Sequence, residues 1–178
     1  MVSKNILVLG GAGYIGSHTC KKLHAERFTP ITIDNLSNGH QQSVQWGPFE
    51  QLDILETDKL ATLMKQYNAQ AVMHFAALIE VAESVKDPES FYKNNVLGTK
   101  SVLEAMNQAG VHHIVFSSTA AVYGQPADNN PLKEDASLSP INPYGETKLE
   151  AEKLIRAEAN IKSVALRYFN ACGEDTNG

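Results

Sequence analysis

The chain has 178 residues, 43% of them hydrophobic and 20% charged, which is enough apolar content for one folded domain with its own core. A formal net charge of -5 with no basic run argues against nucleic acid or an anionic membrane surface as partner. No apolar run reaches the roughly 18 residues of a membrane span, the N-terminus lacks a signal-peptide pattern, and the only cysteines are Cys20 and Cys172, so the expected compartment is the reducing cytoplasm.

Apolar runs alternate with helix-like segments along the chain. Residues 6–10 (ILVLG) read as a buried strand, and a helix over 14–25 follows a cluster of glycines. Residues 30–34 (PITID) and 49–54 (FEQLDI) read as the second and third strands, 58–67 as a helix with Leu60, Leu63 and Met64 on one stripe, and 71–77 (AVMHFAA) as the fourth strand. Asp87 and Pro88 suit an N-cap and first helical position, and the helix they open runs to 109, where Gly110 stops it. A fifth strand over 113–118 (HIVFSS) precedes a long polar loop, of a length that is usually functional in a compact domain. Asn142 and Pro143 repeat the cap for a helix to 160, and 163–170 (SVALRYFN) is the sixth strand. Phe91, Val102, Leu103, Leu149 and Leu154 are read first as core positions of these helices, and Cys20 as a packed helix residue. Six apolar strands separated by helices predict an α/β fold: a doubly wound parallel sheet of the Rossmann dinucleotide-binding type.

The glycine stretch GGAGYIGSH allows two registers. Gly11-x-Gly13-x-x-Gly16 fits the dinucleotide fingerprint, and Gly10-x-x-Gly13-x-x-Gly16 fits the spacing common in short-chain dehydrogenases. Both require a tight turn, a close approach of backbone to a pyrophosphate, and helix amides aimed at it. The acid at the end of the second strand, Asp34, would accept hydrogen bonds from the adenosine ribose and repel a 2′-phosphate, which favours NAD over NADP. A plain structural turn beside a surface aspartate is the bland alternative.

Downstream, Tyr144 and Lys148 share a helix face one turn apart. An ammonium beside a phenol lowers the phenol pKa and makes it a general base. FSSTAAVYG places Ser117, Ser118 and Thr119 at the C-terminal end of the fifth strand, where open α/β sheets bind ligands. Thr119 is the candidate hydrogen-bond partner of the reacting oxygen. Ser117 reads as readily as a strand-end hydroxyl bonded to backbone. The six histidines show no metal-ligand spacing, and no metal is expected.

Together with IDNLSNG, HFAALIEVAESVKDP, NNVLGT, NPYGETKLEAE and LRYFNACG, these motifs resemble the extended short-chain dehydrogenase/reductase family, and within it the sugar-nucleotide epimerases. The likeness runs through essentially the whole chain. It implies a tightly held NAD and a UDP-hexose substrate, with UDP-glucose and UDP-galactose interconverted at C4 through a 4-keto intermediate and no net redox change. It implies cofactor contacts from Gly10, Gly13, Tyr14, Ile15 and Gly16; from Asp34, Asn35, Asn38 and Gly39 on the ribose side; from Asp53 and Ile54 at the adenine; and from Phe75, Ala76, Ala77, Asn94, Ser117, Lys148 and Tyr168 further along. Thr119, Tyr144 and Asn170 would meet the substrate, with Tyr144, Lys148 and Thr119 as the catalytic set.

Two departures stand out: Ile79 replaces a lysine found in some members, and Thr119 stands where serine is commoner. The resemblance also implies a homodimer paired through the helices over 88–109 and 143–160. It implies that residues 1–178 form the NAD-binding domain with the substrate region cut short, so that the chain as a whole polypeptide would bind NAD with little epimerisation. A dehydratase is disfavoured because Thr119-Ala120-Ala121 offers no carboxylate. A simple sugar dehydrogenase and a non-catalytic NAD-binding module stay open.

Overall fold

Ile6, Leu7, Val8 and Leu9 are all buried, because the first strand, β1 (Lys4–Leu9), is covered on both faces. Leu7 and Leu9 point into one cluster with Ile31, Ile33, Val72 and Phe116, while Ile6 and Val8 point into another with Cys20. The computed structural model describes residues 4–126 and 131–173.

The other strands are β2 (Phe28–Asp34), β3 (Phe49–Gln51), β4 (Ala71–His74), β5 (His113–Ser117) and β6 (Lys162–Leu166). All pair in parallel, in the order β3-β2-β1-β4-β5-β6. The chain leaves β1 in one direction and returns to its other side at β4. The C-terminal ends of β1 and β4 therefore open on the crevice where such sheets bind dinucleotides.

Helix α1 (Tyr14–Ala25) supplies Cys20 and covers the sheet face carrying Ile6 and Val8. The larger cluster lies under α2 (Thr57–Gln66), α5 (Gly98–Ala109) and α6 (Pro143–Ala157), which contribute Leu60, Met64, Val102, Met106 and Ile155. β6 forms one edge of the sheet and leaves Val164 and Leu166 exposed.

The expected elements are present, and two of the strand differences have local causes. The third strand stops at Gln51, short of residue 54, because Asp53 Oδ1 accepts the Leu55 amide at 2.9 Å and turns the chain. The fourth strand ends at His74, short of residue 77. Beyond it the Phe75 amide still bonds Leu9 O at 2.8 Å, but the Leu78 amide and carbonyl go to the Asn95 side chain. β6 likewise ends at Leu166, and α6 ends at Ala157.

A short helix that the sequence pattern does not announce, α3 (Val81–Lys86), is followed by α4 (Pro88–Phe91), a π-helical stretch (Tyr92–Leu97) and α5. These last three make up the single helix expected over 88–109. Its caps are as expected: Asp87 Oδ1 accepts the Ser90 amide at 3.1 Å, and Gly110 closes it with φ of 70°. Asn142 caps α6 through the Gly145 amide at 2.8 Å. Of the long loop, residues 127–130 lie outside the described residues, and its start forms a 3₁₀ turn (Ala120–Tyr123).

Candidate active site

Gly10 turns the chain out of β1 with φ of 76°, and a Cβ there would stand 2.6 Å from the Ala76 amide nitrogen. A Cβ at Gly16 would stand 2.2 Å from the Gly10 carbonyl oxygen. The loop is thus packed backbone against backbone. Gly13 is the N-cap of α1 and no side chain caps that end, so the amides of Tyr14 and Ile15 begin the helix with its positive pole open.

Asp34 ends β2 and is 8% exposed. Its Oδ2 accepts the Ala12 amide at 3.0 Å and its Oδ1 the Leu36 amide at 2.8 Å. The carboxylate therefore ties the glycine loop to the loop after β2, and each oxygen keeps a lone pair for a ribose hydroxyl. A Cβ at Gly39 would stand 2.9 Å from Ala12 Cβ and 3.0 Å from Asp34 Oδ2. The exposed Asn35 donates to Asp53 Oδ2 at 2.9 Å, next to the buried Ile54, so both flanks of the expected adenosine site are joined. Asn38 lies exposed in the same loop. Phe75, Ala76 and Ala77 follow β4 and are half-buried beside the glycine loop. Asn94 lies in the π-helical stretch and donates to Asn95 Oδ1 at 3.0 Å.

At the end of β5, Lys148 is 2% exposed and donates to Ser117 O at 2.9 Å. Burial pushes its pKa down to about 7. Tyr144 lies one turn earlier on α6, and its phenol is within hydrogen-bonding reach of Thr119. The expected lowering of the Tyr144 pKa by Lys148 is not what the structure shows. Burial raises the phenol pKa, the Thr119 hydrogen bond offsets part of that, and Tyr168 adds to the rise. The physical reason is that Lys148 is turned toward the Ser117 carbonyl and is itself biased toward neutrality. The Tyr168 hydroxyl hydrogen-bonds the Ser117 hydroxyl, and the Tyr168 carbonyl accepts the Ala120 amide at 3.0 Å. Thr119, Ser117, Tyr144, Lys148 and Tyr168 thus converge. Asn170 lies exposed in the loop after β6, and Ile79 is 59% exposed after β4.

Sequence reasoning does not single out the residues that hold this cluster. The Tyr144 amide donates to Ser84 Oγ at 3.2 Å, and its carbonyl accepts from Thr147 Oγ1 at 2.8 Å. Thr147 Oγ1 in turn accepts from Asn95 Nδ2 at 3.1 Å. Glu152, 1% exposed, accepts from Ser118 and, through two bonds of 2.9 and 2.6 Å, from Arg167. The available signals were one arginine inside an apolar strand pattern and the doubled asparagine of NNVLGT.

His74 is buried at the end of β4. Thr99 Oγ1 donates to Asn95 O at 2.6 Å, so the 3.2 Å contact between Thr99 Oγ1 and His74 Nε2 places the ring proton on Nε2. Nδ1 then holds a lone pair with no partner among the described residues. Burial, with Lys148 nearby, lowers the His74 pKa to about 3. The unfolded chain takes up this proton near pH 6.5 and the native chain does not, so native stability falls as pH drops from 6.5 toward 3. His74→Gln is expected to flatten that slope by up to about 1.4 kcal/mol per pH unit, read by urea denaturation between pH 6.5 and 5.

A family model described as "NAD dependent epimerase/dehydratase family" matches residues 6–178. The chain belongs to that family. UDP-glucose 4-epimerase of Rhizobium meliloti is 50% identical over all of this chain and 55% of its own length. The crystal structure of UDP-glucose 4-epimerase from Brucella ovis in complex with NAD superposes with a TM-score of 0.96 at 48% identity, over 99% of this chain and 55% of that one. The Stenotrophomonas maltophila UDP-glucose-4-epimerase, with bound NAD and formylated UDP-arabinopyranose, gives a TM-score of 0.89 at 39% identity, over 94% of this chain and 53% of that one. The chain therefore spans about half the length of the relatives that it matches, and across that span it shares their fold.

Proposed function

We propose that residues 1–178 are an NAD-binding domain that performs the proton-transfer part of a UDP-hexose 4-epimerase, interconverting UDP-glucose and UDP-galactose. The observation that carries this reading is the convergence of Tyr144, Thr119 and buried Lys148 at the end of β5, across the crevice from the glycine loop. The residues fit a dinucleotide. The loop leaves no room for side chains at Gly10 or Gly16, the N-terminus of α1 is uncapped, and Asp34 keeps acceptor capacity for ribose hydroxyls. Bound NAD supplies the hydride acceptor and donor for the sugar C4.

Within this reading, Tyr144 acts in its phenolate form: it takes the proton of the 4-hydroxyl to become the phenol and gives that proton back when the ketone is reduced on its other face, while Thr119 orients the reacting oxygen. Burial opposes the phenolate, so the step depends on the positive charge that Lys148 can bring to the same pocket. Lys148 has donors beyond the one spent on Ser117 O and uses them on the nicotinamide ribose. Asn170 reaches the substrate pyrophosphate. Tyr144→Phe is expected to lower turnover about 10²- to 10⁴-fold while NAD affinity holds, measured by coupled assay and equilibrium titration.

A second copy of the chain would pair along the groove of about 750 Å³ lined by Tyr92, Leu97, Pro143 and Thr147, a homodimer through the same helices that the sequence resemblance indicates. A reducing cytoplasm suits the two free cysteines. Among the described residues, no helix is long and apolar enough to cross a membrane. The function is tested by incubating the chain with NAD and UDP-galactose and following UDP-glucose and NADH together. UDP-glucose without NADH supports the epimerase. Accumulating NADH overturns it in favour of a dehydrogenase, and failure to bind NAD overturns it altogether; slow UDP-glucose formation is the level expected of a span about half as long as its relatives.

A further inference from the structure

The Lys148 ammonium would carry three N–H donors, and among the described residues it has one hydrogen-bond acceptor, Ser117 O at 2.9 Å. It is 2% exposed. No carboxylate compensates it among the described residues. Glu152, one turn further along α6, is engaged by Arg167, Arg156 and Ser118. From β4 it meets His74, which burial keeps neutral and which adds no anion. From its own helix and the loop after β6, the Tyr144 and Tyr168 side chains face the same pocket and bring no carboxylate to it. What remains is the ring of Phe116, also 2% exposed, with its centroid 4.9 Å from Nζ. An aromatic face attracts a cation within about 6 Å, and most strongly where water is excluded. β5 puts this ring one residue before the Ser117 carbonyl, so a π face and a carbonyl reach the same nitrogen from one strand. The His74 ring packs against Phe116 at 5.5 Å and holds it from the β4 side.

We infer that Phe116 is a positioning residue for Lys148: its π face holds Nζ against Ser117 and favours the ammonium against the burial that favours the neutral amine. This rests on the reading of Lys148 as the cation of the proposed NAD site. The test places 4-fluoro-, 3,5-difluoro- and 3,4,5-trifluorophenylalanine at position 116, which drains charge from the ring face with little change in shape. Lys148 is followed by NMR titration of chain labelled with [ε-13C]lysine, its signal assigned by loss in Lys148→Met. The expected result is a midpoint that falls stepwise with fluorine number, by about one pH unit at the end of the series, while the same substitutions at Phe28 leave it in place. Midpoints that ignore fluorination at 116, or that move equally with fluorination at Phe28, overturn the inference. The titration needs neither NAD nor a sugar nucleotide, so its failure is separable from failure of the epimerase reading.

Discussion

Gly16→Ala is expected to weaken NAD binding at least about 100-fold, a loss of about 2.7 kcal/mol, with the fold intact by circular dichroism. The added Cβ would stand 2.2 Å from the Gly10 carbonyl oxygen and 2.8 Å from Gly11 Cα. Both obstacles are backbone, so the start of α1 must move away from the loop. That movement takes the Tyr14 and Ile15 amides off the pyrophosphate path and pulls on Ala12, whose amide bonds Asp34. A displacement of about 1 Å in a positioned site is enough for a loss of this size. Isothermal titration of NAD into both proteins reads the effect directly, and an unchanged affinity would mean that the glycine loop is only a turn.

The largest expected loss of stability comes from Arg167→Leu. It leaves the Glu152 carboxylate buried without its bidentate partner, a change that costs about 3–5 kcal/mol. Burial pushes the Glu152 pKa up, but Arg167, Ser118 and Arg156 outweigh it and hold the carboxyl below its usual range. The stability contributed by this depressed pKa is present above the unfolded value near 4.5 and is lost as pH falls through the lower folded value. In Arg167→Leu the carboxyl is expected to titrate higher, so the deficit shrinks as the pH is lowered. Urea denaturation at pH 7 and pH 5 measures the difference. The double variant Arg167→Leu with Glu152→Leu is expected to recover most of the loss, because no unpaired charge remains. The functional consequence runs through Ser118, which Glu152 binds between the two residues that face Lys148 and Tyr144.

The strands, their parallel arrangement and the glycine loop were legible in the sequence because each rests on a local rule. Buried parallel strands read as continuous apolar runs, caps read as Asp87-Pro88 and Asn142-Pro143, and a loop that must touch phosphate reads as glycine. Asp34 was legible from its place at a strand end, although its bonds to Ala12 and Leu36 were not. What the sequence hid depends on long-range partners. The side chain of Asn95 replaces strand bonding at Leu78, and so ends β4 early. α3 is short and has no periodic apolar stripe, yet its Ser84 holds the Tyr144 amide. The spacing of Tyr144 and Lys148 correctly puts them on one helix, but spacing does not tell how deep each is buried. Depth is what drives the Lys148 pKa down and the Tyr144 pKa up.

Equilibrium titration of the chain with NAD and, separately, with NADP decides whether the glycine loop and Asp34 form an NAD site. One saturable NAD site, with NADP weaker at least about tenfold because Asp34 repels a 2′-phosphate, is the predicted result. No saturable NAD binding, or a preference for NADP, would contradict it.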